Sequence, residues 1–421
     1  MIKVINCKTK NYKKKLNSFL DKRRINKNVN TNIVIQILKD VKKNKYKALL
    51  KYEKKFSGNN QIKINPIAIK KSIKSLDKKT KKAIDFAYNR ILKFHSHQKV
   101  KNTFYKDKLG NKLENKYVPI NSIGIYVPAN LPSTLLMNAI PARLAKVKRI
   151  VLANPKLNGK LNPAVLYAAK KLGIKEIYSM GGAQAIASLA YIQKVNKIIG
   201  PGNIYVSRAK KEVFGDVGTE SMVAGPSEIS VLADQNTRVQ EVQTSLIGQS
   251  EHDENSQSIL ITKSLKLIKI IKKNIFKSIN TLPRKKIIIQ SLKRNGLLIL
   301  AQNDKQIIES INLIAPEHLE INVSNYRKYV NKIINAGSIC IGRYSPMAVT
   351  DYNSGTNHTL PVMGSAKFSS GLNINEFYKK ISYITLSKKG VEKIGKSAIH
   401  LANYERLTAH ILSIKSRMRR K

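Results

Sequence analysis

Tryptophan is absent from this chain of 421 residues, cysteine occurs twice, and acidic side chains are scarce, 25 against 78 Lys and Arg. Each shortage excludes something. Two cysteines, Cys7 and Cys340, make neither a disulfide framework nor a Cys-rich zinc site. No apolar run reaches the ~18 residues that a membrane span needs. The opening MIKVINCKTKNYKKKL lacks the continuous apolar stretch of a secretory signal. The expectation is a soluble, cytoplasmic protein with no membrane partner. A complete G-x-G-x-x-G is missing as well. The nearest segment is Gly200-Pro-Gly202-Asn-Ile-Tyr205, with Tyr where a third glycine would allow close helix–strand packing. Dinucleotide binding therefore stays open on glycines alone.

The formal net charge of +53 invites a nucleic-acid reading, because a positive surface attracts phosphates. The kind of base argues against it. Only 15 of the 78 are Arg and 63 are Lys, spread along nearly the whole length beside abundant Asn and Ile. These three residues have A- and T-rich codons, so mutational drift accounts for them without a partner. Base recognition favours Arg, and single-strand binding favours interleaved aromatics, which make up 6% here. No specific nucleic-acid partner is expected.

What is present is a globular composition, 42% hydrophobic, on a chain long enough for two or three domains. From about residue 122, short apolar runs alternate with helical patterns. SIGIYVP, RIVLAN, EIYSM and KIIGPG predict strands; TLLMNAIPARLAKV, PAVLYAAKKLG, AQAIASLAYI and NIYVSRAKKEVF predict helices. A second series follows with EISVLAD, SQSILIT, LLILAQ and GSICIG. Such alternation predicts α/β architecture with two doubly wound parallel sheets, divided near Ala224-Gly225-Pro226. The first hundred residues read as helical and Lys-rich, and could pack on either sheet. A YITLS run and a helix from about Lys388 close the chain.

Between Asp216 and Gln257 the basic habit stops: eight carboxylates stand against one base, Arg238. Within this stretch, Gln249 and His252 are three apart, a spacing that places both on one helix face. Glu317 and His318, in IAPEHLEI, form an adjacent acid–imidazole pair at a helical end, suited to general-base chemistry. Asp351 and His358 lie in the polar loop TDYNSGTNH, and Glu405 and His410 in YERLTAH. On a single helix the last two would stand about 140° apart. His95, His97 and His400 read as helix surface or packing. The set is a mixed nitrogen and oxygen donor site, suited to zinc or a neighbouring metal, and names no reaction.

The combination does. SLIGQSEH, AGPSEISVLAD, APEHLEI, SGTNHTLP, FSSGL and ERLTAH, preceded by GIYVP, GGAQAIA and GPGNIYV, resemble histidinol dehydrogenase in family order over nearly the whole chain, most strongly from about 122 to 410. The resemblance implies two incomplete Rossmann-like domains plus small helical tail domains exchanged in a homodimer. Residues 22–102 and 226–372 would form the first Rossmann-like domain, with most of the zinc and substrate site. Residues 125–225 would form the second, NAD-binding domain, and 1–21, 103–124 and 373–421 the tail and dimerisation segments. It implies one Zn2+ per subunit on Gln249, His252, Asp351 and His410. L-histidinol would meet Ser227, Gln249, His252, Glu317, His318, Asp351, Glu405 and His410, with Glu405 and His410 donated across the interface. NAD would meet Tyr126, Gln184 and Asn203, and Glu317 and His318 would be catalytic in oxidising L-histidinol through the aldehyde to L-histidine. On this resemblance, the acidic stretch reflects an electrostatic penalty on Lys near zinc and a cationic substrate.

The chain departs from the family pattern in places. Ala129-Asn130 replaces a usual Gly-Gly, in a loop about two residues shorter; Met347 and Thr350 stand for a common Glu and Gly, and Glu254 for a common Pro. A Cβ at Thr350 would be strained if the backbone there needs positive φ. Two alternatives follow: a catalytically impaired relative, and a zinc hydrolase that uses Glu317 or His318 as base without NAD.

Overall fold

The computed structural model describes residues 2–24, 32–220 and 225–418, so the Ala224 side of the expected division lies outside the described residues. Among these, the chain forms two compact units: Met1–His97 with Asn121–Glu376, and Gln98–Ile120 with Phe377–Lys421.

The first unit holds two parallel sheets. The larger has six strands in the order Lys3–Asn6, Gly296–Leu300, Gln257–Thr262, Glu228–Ala233, His318–Asn322 and Ser338–Ile341. Its inner strands, His318–Asn322 excepted, are largely apolar runs because helices cover both faces. One face packs on helices Val239–Ser250, Leu265–Asn274 and Lys285–Asn295 through Val242, Leu246, Ile268, Ile271 and Leu292. The other packs on helices Tyr12–Arg24 and Asp304–Ile314 through Leu16, Leu20, Ile307 and Ile311. The smaller sheet runs Glu176–Tyr178, Arg149–Ala153, Ser122–Tyr126, Lys197–Ile199 and Gly218–Thr219, again parallel. Its order reverses between Ser122–Tyr126 and Lys197–Ile199, the topological switch point where doubly wound sheets open a crevice at their carboxyl ends.

The second unit is not wholly helical, as expected of the tail. Thr103–Lys106, Lys112–Pro119 and Tyr378–Thr385 form an antiparallel three-stranded sheet, followed by helices Lys388–Tyr404 and Thr408–Lys415. Polar, Lys-rich strands such as KLENKYVP bury too little to announce themselves as strands.

Other boundaries differ from expectation. Residues 1–21 are not tail: Lys3–Asn6 extends the six-stranded sheet, and Ile2, Ile5 and Cys7 are buried there. The helices between residues 32 and 96 do not pack on the six-stranded sheet either. Helix Asn32–Ser57 buries Val34, Ile37, Leu38, Val41, Leu49 and Tyr52 in one core with Tyr126, Val151, Ile186 and Val206 of the smaller sheet's layer. Helices Pro66–Lys74 and Lys78–Ser96 lie on Pro163–Lys171 and Pro132–Leu144. Strand Ser122–Tyr126 begins inside the stretch expected as tail, 103–124. His95 is buried rather than on the surface, and His400 is exposed.

One glycine is required by close approach. Gly200 sits at φ 110°, and a Cβ there would lie 2.1 Å from the Tyr126 carbonyl oxygen. Its own carbonyl accepts the buried Lys210 ammonium at 2.8 Å. Gly200→Ala is expected to lower stability by about 2–3 kcal/mol, read as a drop in the urea midpoint at unchanged slope.

Candidate active site

The acid–imidazole pair owes its position to a chain reversal. Helix Asp304–Ile314 ends in Ala315, which takes the left-handed conformation at φ 47°, and Pro316 bars further helix. The chain turns straight into strand His318–Asn322, in register with Ile229 and Ser338 on its two neighbours. Glu317 and His318 therefore open a central strand at the amino edge of the six-stranded sheet. Ser227 precedes Glu228–Ala233 at the same edge. Gln249 and His252 arrive there because helix Val239–Ser250 runs back against its strand. Substrate-side candidates thus gather at the amino edge, opposite to the carboxyl-end rule for doubly wound sheets.

Both Glu317 and His318 are buried. The Glu228 N–H donates to Glu317 Oε2 at 2.8 Å, while Glu317 Oε1 faces His318 Nε2 at 3.8 Å. Asp351 Oδ1 lies 3.6 Å from the same nitrogen. Neither distance is a hydrogen bond, and Nδ1 has no partner among the described residues either. Burial pushes the His318 pKa down to about 3, helped by the nearby His358 and His252 rings. Burial raises Glu317 well above the carboxylate range, against the lowering effect of the Glu228 N–H and with Glu228 and Asp351 adding to the rise. Asp351 rises to about 7 from burial.

Asp351 closes the short helix Met347–Thr350, and that helix is anchored from the same strand: the Met347 N–H donates to Glu320 Oε1 at 2.7 Å. Thr350 is helical, outside the positive-φ residues, so the strain expected of its Cβ does not arise; its hydroxyl donates to the Met347 carbonyl at 2.7 Å. His358 turns Nδ1 to the Asp351 carbonyl at 2.6 Å and Nε2 toward Thr134 Oγ1 at 3.4 Å. Asn357 Nδ2 donates to Met137 O. Through these bonds the 351–359 loop joins the amino edge of one sheet to helix Pro132–Leu144 of the other. Gln249 is 1% exposed, and neither end of its amide has a partner. His252 is exposed beyond the helix end.

Tyr126, Gln184 and Asn203 stand at the carboxyl edge of the five-stranded sheet, beside its switch point. Tyr126 ends its strand and accepts the Gly182 N–H on its hydroxyl. Gln184 is buried on the first turn of helix Gly182–Tyr191, and Asn203 caps helix Ile204–Val213 through Tyr205 N and Val206 N. Glu405 and His410 belong to the second unit, both exposed. They do not share a helix: Lys388–Tyr404 ends before Glu405, Arg406 takes φ 60°, and a new helix starts at Thr408. The 140° separation therefore does not apply.

Sequence reading missed Glu228, Glu320 and Glu53, each buried. The available signal was a lone carboxylate within an apolar strand or helix stripe, as in EISVLA, HLEIN and LLKYE. Nor does the acidic stretch serve the site as a whole. Asp216 pairs with Lys42, Glu220 with Lys210, Glu241 with Arg343 and Glu254 with Arg294, while Asp234 and Asp253 hold turns.

Two parallel α/β sheets with a buried acid–imidazole pair at the edge of one and a topological switch point in the other define an α/β enzyme. The histidinol dehydrogenase family model matches residues 20–418. The chain is 56% identical to histidinol dehydrogenase of Pelagibacter ubique (strain HTCC1062) over all of both chains. It is 44% identical to that of Bacillus subtilis (strain 168), over 92% of this chain and 93% of the relative. A crystal structure of histidinol dehydrogenase from Elizabethkingia anophelis superposes with a TM-score of 0.90 at 36% identity, covering 99% of this chain and 98% of the other. The chain belongs to the histidinol dehydrogenase family and is an oxidoreductase. No helix among the described residues is long and apolar enough to cross a membrane.

Asp351 gives a stability prediction. Its folded pKa of about 7 exceeds the ordinary 3.8, so the fold favours the protonated carboxyl and loses stability as pH rises from 3.8 through 7. Above pH 7 the buried charge remains a cost, which Asn does not carry. Asp351→Asn should therefore melt a few degrees higher than the parent at pH 8 in metal-free protein, and at or below it near pH 4. Thermal unfolding in chelator at the two pH values checks this.

Proposed function

We propose that the chain catalyses the zinc-dependent, NAD-dependent four-electron oxidation of L-histidinol to L-histidine by way of L-histidinaldehyde, the last step of histidine biosynthesis. The observation that carries the reading is the row of buried polar atoms without partners at one sheet edge: the Gln249 amide, Asp351 Oδ1 and His318 Nδ1. Burying such groups unsatisfied costs about 1–3 kcal/mol each, a cost that a bound metal and a polar substrate would relieve. Gln249, His252 and Asp351 would hold zinc, with His410 of the partner subunit as the fourth ligand. Among the described residues of one chain, no three His, Cys, Asp or Glu side chains are placed to hold a metal. The assignment takes two such side chains from one chain, His252 and Asp351, and adds an amide. Exposed Leu401, Tyr404, Leu407 and Leu412, around Glu405 and His410, support a second unit exchanged in a homodimer. The six-stranded sheet would carry substrate and zinc, and the five-stranded sheet NAD at Tyr126, Gln184 and Asn203, in a cytoplasmic enzyme.

When bound, NAD accepts hydride and zinc orients the substrate's nitrogen donors. The chain's own side chains do the rest. His318 is neutral at pH 7 because burial depresses its pKa, so it can take the hydroxyl proton as the first hydride leaves. The imidazolium that forms lies within 3.8 Å of Glu317 and Asp351 and favours their ionised forms in turn, so that the opposite charges offset one another's burial. Glu317 Oε1, its partner oxygen held by the Glu228 N–H, then accepts a proton from the water that adds to the aldehyde. As the water adds, the His318 imidazolium returns its proton to the aldehyde oxygen, so that the resulting diol loses its second hydride with neutral His318 again as base. Ser227 and Glu405 of the partner subunit would bind the substrate. The second parallel sheet, with its topological switch point between Ser122–Tyr126 and Lys197–Ile199, favours this over hydrolysis, which would need no such second sheet.

Purified zinc-loaded protein should form two NADH per L-histidinol consumed and stop on chelation; turnover that survives chelation, or needs no NAD, overturns the reading. His318→Gln should lower kcat by about 10^3 with the histidinol KM within about threefold. Glu317→Gln should impair the second oxidation more than the first, so that NADH per histidinol falls toward one in single-turnover experiments.

A further inference from the structure

The N-terminal helices contain one buried carboxylate that no step above uses. Glu53, near the end of helix Asn32–Ser57, is 1% exposed. Its Oε1 accepts two hydrogen bonds, from the Gly181 N–H at 2.8 Å and from Gln184 Nε2 at 2.9 Å. Gly181 precedes helix Gly182–Tyr191 and has no cap from its own segment. The next amide, Gly182 N–H, donates to the Tyr126 hydroxyl. One carboxylate thus fixes the Gln184 side chain and the turn that holds Tyr126, two of the three residues assigned to NAD.

The same segment clasps the rest of that turn. Asn59 Nδ2 donates to the Ser179 carbonyl at 2.6 Å, and the Ser179 N–H donates to Ile62 O at 2.7 Å. Lys156 Nζ holds Asn59 Oδ1 at 2.9 Å. Residues 179–184 are therefore hydrogen-bonded largely by residues 53–62 rather than by their own sheet. A carboxylate at the amino end of a helix is favoured by the helix dipole, and it occupies the place where a phosphate would otherwise dock.

We propose that Glu53 is a positioning residue for the cofactor: it presets Gln184 and the 179–182 turn so that Tyr126 and Gln184 meet NAD in one geometry, and it keeps the cofactor's phosphates off this helix end. The inference rests on the assignment of NAD to Tyr126 and Gln184. Its test uses the zinc-loaded enzyme, with kcat, NAD KM, histidinol KM and bound zinc measured for Glu53→Ala, Glu53→Asp, Glu53→Gln and Gln184→Ala. Glu53→Ala and Glu53→Asp, the second keeping the charge but falling short in reach, should raise the NAD KM about tenfold with the histidinol KM, zinc content and kcat within about twofold. Glu53→Gln should recover most of the loss, because an amide oxygen still accepts both N–H groups. If the alanine variant does not fold, the aspartate variant alone decides. An unchanged NAD KM in a folded Asp or Ala variant, beside a raised one in Gln184→Ala, overturns the role of Glu53 alone. An unchanged NAD KM in Gln184→Ala overturns the cofactor assignment and this inference with it. A parallel loss of NAD, histidinol and zinc affinity also overturns it, by showing a general structural role.

Discussion

The Glu228 N–H on the Glu317 carboxylate is the contact on which the site depends. It ties the first residue of one central strand to the residue that opens the next, and Glu228's own carboxylate accepts the Met363 N–H at 2.9 Å. Two buried acids thus run a line of hydrogen bonds from the sheet's amino edge to the loop that follows Asp351 and His358. The desolvation of these acids is offset by backbone donors rather than by cations, which leaves the interior of the site without a competing positive side chain. His318 is held between carboxylates by this frame and by its strand register, and neither ring nitrogen is engaged.

A second organising fact is that the two parallel sheets carry their candidate residues on unlike edges. The five-stranded sheet offers its carboxyl edge, with Gly200 packed so closely on Tyr126 that no side chain fits. The six-stranded sheet offers its amino edge, where helix carboxyl ends and strand starts supply Gln249, Ser227, Glu317 and His318. A loop from one sheet reaches a helix of the other through His358, Asn357 and Thr359, so the layers of the two sheets are tied to each other by direct hydrogen bonds.

The parts of this arrangement that were legible in the sequence share a physical property: they are strongly apolar or strongly local. The strands SIGIY, RIVLA, EISVLA and QSILIT stand out because both faces are buried, and the Glu317–His318 pair stands out because Pro316 breaks the helix just before it. What was illegible is polar or distant. HLEIN does not look like a central strand because its acid is buried and bound to Met347 N–H, a partner 27 positions away in sequence. Glu53 looks like one more charge in a Lys-rich helix until it meets residues 128 and 131 positions on. The acidic stretch suggested one electrostatic demand, but its members answer several separate lysines, arginines and turns.

By itself, then, the sequence determined the alternation of buried strands and covering helices, the order of the motifs and the candidacy of the Glu317–His318 pair, because these follow from local hydropathy and from breaks such as Ala315-Pro316. Only the tertiary structure decided which edge of each sheet those side chains occupy, that the N-terminal helices serve the five-stranded sheet, and which carboxylates are buried and bound. Those outcomes depend on pairings between residues 27, 89 and 128 positions apart. Periodicity along the chain is blind to such pairings, and burial changes the basicity of His318 and Asp351 only once they are made.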